Sequence, residues 1–137
     1  INYTDVASVS NKMDPMAFAT APLGSDKGAG FGWQDINVWK FGVEFAGVDT
    51  WTFRGGYSHT DQPVPNSEVM FNILAPGVIE DHITLGCSKT LGDSGKALHL
   101  ALVYALPSSV KGMNPMDPAQ TIELEMNQFE VEIAFTF

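Results

Sequence analysis

The last nine residues, Phe129, Glu130, Val131, Glu132, Ile133, Ala134, Phe135, Thr136 and Phe137, alternate bulky apolar side chains with polar or small ones without a break. A strand turns successive side chains to opposite faces, so one face here is Phe, Val, Ile, Phe, Phe and the other Glu, Glu, Ala, Thr. A half-buried strand of a water-soluble sheet alternates in the same way. It seldom ends on its most hydrophobic residue, however, where fraying exposes the ring to water. The closing strand of a bacterial outer-membrane β-barrel does end so, with apolar residues toward lipid, polar ones toward the lumen and an aromatic girdle at the membrane boundary.

Period-two segments bounded by turn residues predict six strands, over residues 1–9, 37–46, 51–59, 82–91, 97–106 and 121–137. The second sets Trp39, Phe41, Val43 and Phe45 against Lys40, Gly42 and Glu44, and the third sets Trp51, Phe53 and Tyr57 against Thr52, Arg54 and Ser58. The fourth opposes Ile83, Leu85, Cys87 and Leu91 to His82, Thr84 and Ser88, and the fifth opposes Leu98, Leu100, Leu102 and Tyr104 to His99, Ala101 and Val103. In the sixth the apolar phase flips between Met126 and Phe129. Either a bulge near Asn127 and Gln128 or an outer half that rises above the membrane accounts for the flip.

The connections alternate in length: 11–36 is long, 47–50 tight, 60–81 long, 92–95 tight and 107–120 long. Antiparallel neighbours with long loops at one end and tight turns at the other match the extracellular-loop, periplasmic-turn asymmetry of outer-membrane barrels, and put both chain ends on the periplasmic side. Six strands cannot close a transmembrane barrel, since the smallest use eight, and open edges in hydrocarbon leave backbone groups unsatisfied. The expected fold is therefore an all-β, antiparallel transmembrane β-barrel to which this chain gives about six C-terminal strands. Earlier strands of the same protein, or another chain, would complete the wall.

Composition narrows the partners. The chain has 137 residues, 45% of them hydrophobic, enough for one domain. No apolar run approaches the ~18 residues of a membrane helix. A net charge of −9 with seven scattered basic residues argues against nucleic acid. Cys87 is the single cysteine, so no internal disulfide forms. No basic segment followed by an apolar run opens the chain, as a secretory leader would, and residues upstream of Ile1 are expected.

The words Gly30-Phe31-Gly32-Trp33-Gln34-Asp35, Phe53-Arg54-Gly55-Gly56-Tyr57, Gln62-Pro63-Val64-Pro65, Phe71-Asn72-Ile73-Leu74-Ala75-Pro76-Gly77-Val78, His82-Ile83-Thr84-Leu85-Gly86 and Gln120-Thr121-Ile122-Glu123-Leu124 occur in that order. Together they resemble the C-terminal part of the outer-membrane long-chain fatty acid and hydrocarbon transporters, the FadL/TodX type. The resemblance implies a fourteen-stranded barrel with an N-terminal hatch, taking up hydrophobic molecules by diffusion in the outer membrane of a Gram-negative bacterium. A signal peptide, the hatch and about eight more strands would lie upstream.

Candidate site residues are few. In the loop 62–80, Pro63 and Pro65 forbid ladder pairing, and Asn66 or Ser67 can cap a short helix carrying Val69, Met70, Phe71, Ile73 and Leu74 up to Pro76 and Gly77. That stripe can form part of a greasy groove at the outer mouth or fold back to pack over it, and the two are compatible. The loop 13–23, with Met13, Met16, Phe18 and Leu23, is a weaker version. The lumen face is expected to carry Lys40, Glu44, Arg54, His82, His99, Glu130 and Glu132, paired across strands. Lys40 or Arg54 is the candidate receiver of a carboxylate head group. His59 falls on the opposite face from His82 and His99, so no metal site is expected, nor any cofactor. No nucleophile elbow or phosphate loop suggests an enzyme. The rival class is a soluble or surface-attached all-β binding module, a sandwich whose interior would be the face assigned here to lipid.

Overall fold

The computed structural model describes residues 1–137 except Asp5, Pro15, Ala17, Phe18, Leu23, Gly24, Asp93 and Ser94. The elements are β1 (Asn2–Tyr3), α1 (Ala7–Ser10), β2 (Ile36–Val48), β3 (Trp51–Thr60), a 3-10 turn (Phe71–Leu74), β4 (Asp81–Leu91), β5 (Lys96–Asn114) and β6 (Asp117–Thr136). The strands form one six-stranded antiparallel sheet in sequential order, and it is open. No described helix is long and apolar enough to cross a membrane.

Pairing aligns the predicted alternation into rows. Phe45, Phe53, Cys87, Leu100 and Ile133 make one row, Val43, Gly55, Leu85, Leu102 and Val131 the next, and Phe41, Tyr57, Ile83, Tyr104 and Phe129 a third. Toward the tight turns the following row is Trp51, Lys89, Leu98 and Phe135; toward the loops it is Trp39, His59 and Asp81. No described element covers this apolar face: Trp39 is 72% exposed, Phe41 71% and Ile133 71%. From Phe129 to Phe137 it extends about 26 Å along β6, at ~3.3 Å per residue.

The opposite face carries Lys40, Glu44, Arg54, His82, His99, Glu130 and Glu132, as the alternation predicts. A polar rung crosses all five long strands there. Arg54 Nε donates to Glu44 Oε2 at 2.8 Å and its Nη1 to Ser88 Oγ at 2.7 Å. Ser88 Oγ meets His99 Nδ1 at 2.8 Å, and His99 Nε2 meets Thr136 Oγ1 at 3.0 Å.

Two expectations are corrected. Residues 1–9 are not one strand: pairing stops at Tyr3, and Val6 to Ser10 coil into α1, closed by Ser10 N–H to Val6 O at 2.8 Å. The Val9 carbonyl then accepts from Phe31 N and Trp33 N, which draws the segment away from β2. Ile1 to Tyr3 therefore lie beside Val38 to Ile36, at the loop end of the sheet and not at the tight-turn end. Nor are residues 107–120 a long loop, because β5 and β6 continue as a hairpin to the pair Asn114 and Asp117.

The bulge falls on β5, where Ala105 pairs Gln128 but Ser108 pairs Met126. Pro107 sits inside it, where no ladder donor is needed. β6 itself keeps its alternation, so Met126, Leu124 and Ile122 continue the face of Gln128 and Glu130. The apolar phase flips because the covered face changes. On this outer half the chain 61–80 packs against the hairpin, giving a core of Val64, Val69, Val78 and Val110 flanked by Trp33, Ile122, Leu124 and Met126. Each fully buried valine contributes roughly 1.5–3 kcal/mol.

Candidate functional site

Asn72 ties the two ordered loops together. It has no exposed surface, its amide donates to Phe31 O and to Glu68 O at 2.9 Å each, and its Oδ1 accepts from Trp33 Nε1 at 2.6 Å. Gly77 lies against the Trp33 ring so closely that a Cβ would stand 2.6 Å from Cη2. Gln62 closes the base of the loop, donating to Val78 O at 3.1 Å and Glu80 Oε1 at 2.9 Å, while Gln34 N reaches Pro63 O at 2.8 Å.

The predicted stripe divides accordingly. Val69 is a core residue and is closed to any ligand, whereas Met70 and Phe71 are half-buried. Ile73 and Leu74 stand exposed, Leu74 by 77%. The stripe thus packs over the hairpin through Val69 and leaves Ile73 and Leu74 exposed. In the weaker loop 13–23, Phe18 and Leu23 lie outside the described residues, and Met16 is exposed.

Lys40 and Arg54 are brought together on the polar face, where they line one open groove of about 580 Å³ with Glu44. Its floor is low because Gly42, Gly56 and Gly86 carry no side chains there. Arg54 is engaged by Glu44 and Ser88.

Sequence reasoning missed a second cavity. Tyr3, Val6, Val9, Ser10, Trp33, Gln34 and Ile36 line a pocket of about 320 Å³ at the loop end. Tyr3 pairs with Ile36, and Ile36 shares the β2 face of Lys40, so the pocket opens on the polar side of the sheet. The available signal was Trp33, a large ring on a loop, which a soluble surface seldom leaves without a packing role.

At the rim of the apolar face Asp81 Oδ1 accepts from the Tyr57 hydroxyl at 2.5 Å and meets His59 Nδ1 at 2.8 Å. Just beyond β3, Asp61 accepts from the backbone N–H of Asn37 at 3.0 Å and from its side-chain amide at 3.1 Å. The backbone hydrogen bond, then the side-chain one, holds the Asp61 carboxyl below its ordinary value. Among the described residues no three His, Cys, Asp or Glu side chains group as a metal site.

Compared with protein-family models, with curated proteins and with solved structures, the chain finds no match.

Proposed function

We propose that this chain is part of an outer-membrane β-barrel that admits long-chain fatty acids or other hydrophobic compounds to a Gram-negative cell by passive binding and release, without catalysis. The observation that carries the reading is the bare apolar face, continuous over five strands and flanked by a His–Asp row at one end and a Trp–Lys row at the other. Lipid is the solvent in which such a face is stable. Lys89, with Nζ 5.1 Å from the Trp51 ring centroid, suits the headgroup level. The resemblance of the sequence words to the fatty acid and hydrocarbon transporters supports the same reading.

Further strands complete the wall, because β6 has no described neighbour on its outer side and β2 has none beyond Val38. In hydrocarbon each unsatisfied backbone group would cost several kcal/mol. Hydrophobic compounds meet the exposed Ile73 and Leu74 first and pass along the polar face, where Lys40 is the cation placed to receive a carboxylate. Uptake of a labelled long-chain fatty acid by cells carrying the full-length protein tests this. Phe71→Ser with Leu74→Ser should lower uptake several-fold; unchanged uptake removes both from the path. A protein that stays monodisperse without detergent would favour the soluble binding module instead.

A further inference from the structure

We propose that the tight-turn end of the apolar face binds one anionic phospholipid, with the head-group phosphate against Lys89 and Lys96 and an acyl chain in the groove beside Cys87. The site lies on the outside of the wall and takes a membrane lipid, not cargo. It rests on the uptake function only for the presence of a bilayer.

Charge placement is the first observation. In a chain of net charge −9, Lys89 and Lys96 stand on the same face as the apolar rows. Lys89 pairs with Leu98 and Leu91 with Lys96, so the two lysines are diagonal neighbours, about 7–8 Å apart at the backbone. Both are exposed, and among the described residues no carboxylate pairs with either. Asp93, in the turn they flank, lies outside the described residues, so Lys89 is the principal contact. Its Nζ lies 5.1 Å from the Trp51 ring centroid. An ammonium whose neighbour is a ring face keeps its donors for a phosphate.

The opposite rim differs. There Asp81 puts a carboxylate on the same face, hydrogen-bonded to Tyr57 and His59. Lys111, on the outer hairpin, is paired with Glu123 at 3.2 Å. The basic end therefore selects the leaflet next to the tight turns.

Shape is the second observation. Phe53, Leu85, Cys87, Leu100 and Leu102 line a groove of about 320 Å³ on the apolar face. Arg54 also borders it, but its guanidinium is held on the polar face by Glu44 and Ser88. Cys87 is two residues from Lys89 along β4, about 7 Å at ~3.3 Å per residue, which sets the groove directly below the head group. The Trp51 ring stacks on Phe53 with centroids 5.9 Å apart, so β3 supplies a continuous aromatic wall from the lysine to the groove.

Native mass spectrometry tests the site, with the full-length protein freed of lipid in detergent and offered equal phosphatidylglycerol and phosphatidylcholine. The first lipid bound should be phosphatidylglycerol by roughly tenfold, as two surface lysines imply. Lys89→Gln should cut that preference about fivefold, and Lys89→Gln with Lys96→Gln should abolish it. Lys111→Gln should leave it unchanged. Cys87→Trp, which occupies the groove, should weaken the binding of both lipids. Equal binding of the two lipids, a preference unmoved by the double substitution, or undiminished binding in Cys87→Trp overturns the proposal. Cell fractionation keeps the two claims apart. A protein of the outer membrane without the preference loses this site and keeps the uptake function, whereas a soluble protein loses both.

Discussion

Thr50 occupies the left-handed region with φ 63°, where a β-branched side chain crowds the backbone. It sits between Val48 and Trp51 in the turn joining β2 to β3, and its carbonyl accepts from Thr90 N at 2.8 Å, so the turn is held in place from β4. Thr50→Gly should stabilise the protein by roughly 0.5–1 kcal/mol, the relief of strain less the added chain entropy. A raised denaturant midpoint checks it. Asp61 acts at the other end of the sheet. Its depressed carboxyl means that its bonds to Asn37 stabilise the fold above the ordinary carboxylate range and are lost as pH falls through the folded value. The protection of the Asn37 amide, its exchange rate taken relative to the intrinsic rate at each pH, should fall as pH drops below the ordinary carboxylate range. Asp61→Asn should flatten that dependence.

Among the elements, the extended hairpin of β5 and β6 is where sequence and structure part most. The faces of β2, β3 and β4 were legible because each strand alternates cleanly between turn residues. The predicted fifth strand ends at residue 106, but a bulge needs no ladder donor at Pro107, so β5 runs on to Asn114. The phase flip in β6 was visible. Its cause was not, because the packing of the chain 61–80 on the inner side of the hairpin is a tertiary contact. The same limit hid the pocket, whose walls come from Tyr3, Val6, Val9, Ser10, Trp33, Gln34 and Ile36. Gly112 shows how close the contact is: a Cβ there would collide with the Asn66 carbonyl oxygen and the Val69 side chain. Gly112→Ala should lift the loop and cost about 1–3 kcal/mol, the usual penalty of overpacking. Limited proteolysis within residues 61–80 should become markedly faster.

Over the whole molecule, one face of the sheet is apolar and exposed and the other polar, and the proposed function gives the two different solvents. Leu102 sits mid-way along the apolar face, and Ala101, its neighbour in β5, points to the polar side beside Gly86 and Glu132. An arginine at mid-bilayer on a barrel's lipid face costs about 2–4 kcal/mol, whereas lumen positions tolerate charge. Leu102→Arg should therefore lose that much stability in lipid, and Ala101→Arg should lose far less, by equilibrium unfolding in vesicles. Equal losses would mean that the two faces do not differ in their surroundings.

The most direct test places a nitroxide at each position from 129 to 136 in the membrane-embedded protein and measures collision with oxygen and with a water-soluble nickel chelate. Positions 129, 131, 133 and 135 should favour oxygen and positions 130, 132, 134 and 136 the chelate, alternating without a break. If the odd positions are shielded from both reagents, protein rather than lipid covers the apolar face, and the membrane assignment is wrong.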